Sequence, residues 1–191
     1  MSLPSLLPWL PDLAQPASIA GLMALGSACT WPLLRQRRAI LSVQVLCSLL
    51  FALHYLLLGA PTAAAMCMAG VAQGIAVVAL RGRALRIGVV GLTAVAAAGA
   101  TALTWTGLPS ALSLAGQLGG AVGRLQTDTQ RLRLCFMVSV LFWTAHNLMV
   151  GSVFGLGSDT LSLTALALGF LRDRRARRVV SRAGRPAPAG A

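Results

Sequence analysis

Apolar residues fall along this chain in seven runs, at about residues 17–34, 39–58, 62–80, 87–105, 110–122, 134–150 and 153–171. The breaks between them alternate in kind. Arginines follow the first, third and fifth runs, whereas Gly59-Ala60-Pro61, Gly107 to Pro109 and Gly151 turn the chain after the second, fourth and sixth. A helix rises about 1.5 Å per residue, so a run of about 20 residues crosses the roughly 30 Å hydrocarbon core of a bilayer. Backbone amides in lipid must bond within their own segment, which selects helices. The pattern predicts an all-α, polytopic membrane protein with seven transmembrane helices. The alternating strands of a membrane barrel are absent from the sequence.

The fifth run is short and rich in small residues, and the basic positions decide whether it counts as a span. With seven spans, every arginine lies on one side: after spans one, three and five, and in the tail. Leaving out the fifth would divide them between both sides. Basic residues in short connections mark the cytoplasmic face. The expected topology therefore has the amino terminus outside and the carboxyl terminus in the cytoplasm of a bacterial inner membrane.

Composition agrees, with 57% hydrophobic and 10% charged residues and a mean hydropathy of +0.77, against about 25% charged in a soluble domain. The net charge of +12 comes from arginines alone among the basic residues. No aromatic-basic interleaving accompanies them, so nucleic acid is excluded as a partner; anionic lipid is the expected partner of the basic tail. Cys29, Cys47, Cys67 and Cys135 lie inside apolar runs without metal-ligand spacing and read as packing residues. No metal, cofactor or disulfide framework is expected. Residues 1–15 carry no Lys or Arg, which argues against a signal peptide. Their prolines and Trp9 suggest a short segment resting at the membrane surface.

One stretch occurs twice. Residues 47–60 and 139–152 superpose at a shift of 92 positions, aligning Phe51 with Trp143, His54 with His146 and Gly59 with Gly151. These are the chain's two histidines. The shared order of arginines, a span ending in His-x-x-x-x-Gly, and a further span reads as an internal duplication. The expected organisation is an outer, interfacial segment at 1–16, a three-helix repeat at 17–80 and a linker helix at 81–107. A second three-helix repeat at 108–171 and a basic, disordered tail at 172–191 follow. A single linker span makes the repeats parallel, related by an axis along the membrane normal.

The block after Arg37-Arg38, SVQVLCSLLFALHYLLLGAPTAAAM, resembles the YgjV family of bacterial inner membrane proteins, and so does the second half around Asn147 and the Gly-Ser turn. The resemblance covers about residues 17–171 and implies an inner-membrane location, with no activity to carry over. The 3+1+3 plan is also similar to the SWEET sugar transporters and the wider PQ-loop superfamily. That likeness implies a hinge at a proline-glutamine pair in each repeat. Here Trp31-Pro32 stands in the right region, making Pro32 the candidate hinge, but Leu33 replaces the glutamine and Gly119-Gly120 lacks a proline. The sugar-facing asparagines of that family are replaced by Cys67 and Asp159, so sugar recognition does not carry over.

Asp159 is the acidic residue placed inside a span, where a charge is costly and usually functional. It reads either as part of a solute or proton path, with Ser158, Thr160 and Ser162 around it, or as the capped start of the last helix at Gly157-Ser158-Asp159. His54, Tyr55, His146 and Asn147 sit near the outer ends of spans two and six. Each histidine reads as an interfacial residue bonded to a backbone carbonyl or as a proton-coupling group with Asp159 as partner. Cys47, Phe51 and His54 share one helix face, as do Ser139, Trp143 and His146. Two such faces meeting at the axis would enclose a cavity. Gln44, Gln73 and Gln117 are mid-span amides that bond across helices or line a pocket. The glycines of AGQLGGAVG suit close helix packing or a hinge. No nucleophile or ligand cluster supports an enzyme.

The expectation is a small-solute carrier working by alternating access between the repeats, with the solute unidentified. The path would run past His54, Tyr55, His146, Asn147, Asp159 and Ser162, and a homodimer is a candidate assembly. The alternative is a non-transporting scaffold, or a protein that binds lipid or a partner through its spans and tail.

Overall fold

The computed structural model describes residues 12–183. It holds seven α-helices: α1 (Pro16–Thr30), α2 (Arg37–Leu57), α3 (Pro61–Ala79), α4 (Arg83–Leu103), α5 (Leu108–Leu125), α6 (Thr129–Val150) and α7 (Val153–Ala183). A 3-10 turn at Trp31–Leu33 closes α1 and contains Pro32. Five helices are long and apolar enough to cross a membrane: α2, α3, α4, α6 and α7 over its stretch Val153–Arg175. Of the other two, α1 is apolar but only 15 residues long, and α5 has 18 residues, many of them small or polar.

Local sequence explains the boundaries. Pro16, Pro61 and Pro109 open α1, α3 and α5 in the first turn, where proline's missing N–H is not needed. Asp128 caps α6 by accepting from the N–H groups of Gln130 and Arg131 at 3.0 Å each. The turns after α2 and α6 end at Gly59 (φ 71°) and Gly151 (φ 67°). This is the left-handed region that closes a helix with glycine.

In the packing order α1, α2, α3, α5, α6, α7 and back to α1, each helix lies against the next, so six helices form a ring. α4 stands outside it against α3 and α5, and only Val90, Ala97 and Thr101 of α4 are buried. The outer surface carries exposed Leu92, Val95, Leu103, Leu56 and Leu148, as lipid contact requires. Helices in lipid associate through close packing rather than by escape from water. At Gly119 an added Cβ would lie 3.3 Å from the Ser139 backbone, so a side chain there would push α5 off α6.

Three expectations need correction. α7 continues past Leu171 to Ala183, so residues 172–183 are helical rather than a disordered tail. The surface segment expected at residues 1–11 and the end of the tail at 184–191 lie outside the described residues. α5 reaches Leu125 and α6 begins at Thr129, so Arg124 and Arg133 belong to helices, and both are buried instead of marking loops. The capped-start reading of Asp159 also fails, because α7 begins at Val153 and Asp159 lies well inside it.

Both arginine-rich connections of the ring are tied across it. Arg37, opening α2, donates from Nε to the Gln126 carbonyl at 2.8 Å and from Nη2 to the Arg124 carbonyl at 2.7 Å. Arg133 on α6 donates in return to the Leu34 carbonyl at 2.9 Å and pairs with Asp173 at 3.4 Å. Leu34 and Gln126 are themselves 92 positions apart.

The glycine turns give a clean test. A Cβ at Gly151 would meet nothing within 4 Å, so the cost of Gly151→Ala is backbone strain alone, about 1 kcal/mol. Thermal unfolding of the purified protein in detergent should show that loss, and Gly151→Asn should recover part of it, because asparagine tolerates this conformation better.

Candidate functional site

The ring encloses a cavity of about 100 Å³, enough for a few waters or a small solute. Residues from both sides of the chain line it in matched positions. Gln44, Cys47, Ser48, Phe51 and Cys67 have their counterparts 92 residues on in Phe136, Ser139, Val140, Trp143 and Asp159, and all ten face the same space. Tyr55, Gln117, Arg124, Ser158, Ser162 and Trp31 complete the lining.

The cross-bonds that shape this cavity recur at the same offset. Ser139 Oγ donates to the Gly116 carbonyl at 2.6 Å, and Cys47 Sγ donates weakly to the Ala24 carbonyl at 3.8 Å. Each bond joins residues 23 apart, and cysteine's bond is the longer because sulfur is the poorer donor. Phe51, Tyr55 and Trp143 stack, with ring centroids 5.7 and 5.9 Å apart along the series. Trp31 meets Phe136 edge-on at 5.4 Å.

A chain of hydrogen bonds runs along one wall. Tyr55 Oη donates to Asn147 Oδ1 at 2.6 Å, and Asn147 Nδ2 donates to Asp159 Oδ2 at 2.8 Å. Tyr55 and Asn147 are again 92 residues apart. Gly155 makes room for this chain, because a Cβ there would fall about 2.4 Å from Asn147 Oδ1. A neutral amide between a phenol and a carboxyl fixes both: its oxygen takes the phenol proton and its nitrogen supplies the carboxyl. Ser158 and Ser162 are buried beside Asp159, whereas Thr160 faces outward.

The two histidines stand above the cavity rather than in its wall. His54 Nδ1 donates to the Ala17 carbonyl at 2.8 Å, and His146 Nδ1 donates to the Pro109 carbonyl at 2.9 Å, each 37 residues back. Both rings are 2% exposed. With the proton on Nδ1, Nε2 is an acceptor. For His54 it receives the Ser152 hydroxyl at 3.0 Å, and Ser152 Oγ accepts in turn from the Gly155 N–H. His146 Nε2 has no partner among the described residues. The reason is visible in the sequence: the position equivalent to Ser152 is Ala60, which has no hydroxyl. Ala60 and His146 line a separate cavity of about 300 Å³.

Of the residues singled out from sequence, Tyr55, Asp159 and Ser162 meet at the central cavity. Asn147 braces two of them, and His54 and His146 are held apart from it. Pro32 lies in the turn that ends α1. Among the amides, Gln117 and Gln73 meet across α5 and α3 at 3.0 Å, while Gln44 reaches the cavity. Sequence reasoning missed Arg124. It is 4% exposed, lines the cavity, donates to Gln73 Oε1 at 3.0 Å and lies 5.9 Å from the Phe136 ring centre. A signal was present: Gln117, Gly120 and Arg124 share one helix face at three-to-four spacing, and Gly120 leaves space for the guanidinium. No group of three His, Cys, Asp or Glu side chains suited to a metal occurs among the described residues.

A family model described as bacterial inner membrane protein, Imp-YgjV, matches residues 16–177. No curated protein and no solved structure matches the chain.

The unpaired His146 nitrogen predicts a gain from a single change. Ala60→Ser supplies the hydroxyl that Ser152 gives His54 and should stabilise the protein by about 1 kcal/mol, the net worth of a typical buried hydrogen bond. Ser152→Ala should cost at least as much, since it strands His54 Nε2. Thermal unfolding of both variants beside the parent protein checks the pair.

Proposed function

The chain belongs to the Imp-YgjV family of bacterial inner membrane proteins, and from that premise we propose that it is a small-solute carrier working by alternating access. Its several apolar helices make it a multi-pass protein of that membrane. In this reading α1–α3 and α5–α7 are parallel repeats joined by α4, as in the 3+1+3 plan of SWEET and PQ-loop proteins. All seven helices cross the membrane, with the amino terminus outside and the arginines on the cytoplasmic side. The basic end of α7 then meets anionic lipid.

The observation that carries the reading is the cavity on the line between the halves, lined by residue pairs at one constant offset. A scaffold would fill that space with Leu, Ala and Gly. Here it holds Gln44, Tyr55, Gln117, Arg124 and Asp159, which are costly to bury in a membrane protein unless they serve a path. Contacts between the halves flank the cavity along α2 and α6. Arg37 and Arg133 clasp the opposite halves on one side; His54 with Ser152 and Tyr55 with Asn147 do so on the other. Releasing one set while keeping the other would open the cavity to one face at a time, which is rocking of one repeat on the other. Pro32 in its 3-10 turn is the bend available to α1. The reading assigns no catalytic step and no cofactor.

Purified protein in sealed vesicles, assayed for uptake over a solute panel with and without a proton gradient, tests this. Saturable flux is expected for at least one solute. Asp159→Asn should reduce it about tenfold or more, the scale of one charge-assisted hydrogen bond. An Asp159→Cys variant should react with a water-soluble thiol reagent. Absence of flux across the panel, together with an Asp159→Cys thiol that no such reagent reaches, would favour the scaffold reading.

A further inference from the structure

We propose that Arg124 is the subsite for the carboxylate of the solute that the central cavity binds, and that this solute is a small hydroxy or amino acid. The inference deepens the carrier reading and rests on it for the cavity's role.

Arg124 is a cation in the last turn of α5, 4% exposed, and among the described residues no carboxylate pairs with it. Its side-chain partner is the neutral Gln73 oxygen, met through Nη1. A buried cation without a counter-charge is costly, and an arginine carries five N–H donors in a planar fork that fits a carboxylate bidentately. The site is also built to hold the guanidinium still. Gly70 and Gly120 flank it, where an added Cβ would lie 3.0 and 3.1 Å from its nitrogens. The Phe136 ring sits beside it. Such fixing lowers the entropy lost when an anion arrives.

The rest of the lining names the other end of the solute. Gln44 Oε1 is a buried acceptor with no partner among the described residues, and Asp159 offers further acceptor oxygens on the same cavity. Both call for donors, which a hydroxyl or an amino group supplies and a simple fatty acid does not. Trp31, Phe51, Tyr55, Phe136 and Trp143 form the apolar walls, and the volume of about 100 Å³ restricts the body to a few heavy atoms.

The test uses the full chain in lipid nanodiscs, with tryptophan fluorescence as the readout, since Trp31 and Trp143 line the cavity. The probes are lactate and alanine against their amides, lactamide and alaninamide. At least one carboxylate should change the fluorescence saturably, and its amide should need at least about tenfold higher concentration, the scale of a charge-assisted pair. The lactate and alanine arms decide between hydroxy and amino acid. Arg124→Gln should weaken the carboxylate at least about tenfold, and Arg124→Lys by less. Equal binding of acid and amide, no saturation by either acid, or undiminished binding to Arg124→Gln overturns the proposal. Should Arg124→Gln fail to fold, the acid-against-amide comparison on the unaltered protein decides alone. Carboxylate binding without flux in vesicles supports the subsite and sinks the carrier reading. Flux of an uncharged solute that is indifferent to Arg124→Gln does the reverse.

Discussion

A polar group buried in a membrane protein needs a partner inside the protein, and several side chains here find theirs on the other side of the ring. Tyr55 on α2 reaches Asn147 on α6, His54 on α2 reaches Ser152 beside α7, and Arg37 and Arg133 reach carbonyls on the far half. Apolar packing alone would hold the helices together without fixing which faces which. These bonds set the register, because each misplaced group would be left without a partner at a cost of a few kcal/mol.

The two sides answer each other at one offset, and the departures from equality are where chemistry enters. Cys47 against Ser139 changes the strength of one bond. Ala60 against Ser152 leaves one imidazole nitrogen idle. Cys67 against Asp159 and Gln44 against Phe136 make one wall of the cavity acidic and give the other an amide. A perfectly symmetric cavity would present the same groups twice. This one presents a carboxyl from α7, a guanidinium from α5 and an amide from α2, so its walls are not interchangeable.

Much of this is legible in the sequence. The helix ends at Gly59 and Gly151 follow from residue types that tolerate positive φ, and the apolar runs locate α2, α3 and α4 within a few residues. The shared face of Cys47 and Phe51, and of Ser139 and Trp143, correctly predicts a cavity wall. The same argument put the histidines on that wall, and there it failed. A helix face drifts around the axis over two turns, and backbone carbonyls at Ala17 and Pro109 draw the imidazoles away. Arg124 and Arg133 were misread for a different reason. Counting basic residues treats every arginine as a loop marker, yet these two extend α5 and α6 and turn inward, seated by Gly120 and Gly169. For Arg124, glycine-arginine spacing on one face of α5 carried that information and charge counting overlooked it; for Arg133 the glycine lies on another helix, and no local spacing showed it.

The clasp between Arg37, Arg133 and the far half has an evolutionary corollary. Both arginines grip main-chain oxygens, at Arg124, Gln126 and Leu34, and a main-chain oxygen is present whatever residue is encoded. Drift at Leu34 or Gln126 would therefore leave the clasp intact, whereas losing either guanidinium would undo it at once. The gripped side of such a joint is free to vary, provided the gripping residues stay. The lining of the central cavity can thus change many times over without rebuilding the lock that holds its walls.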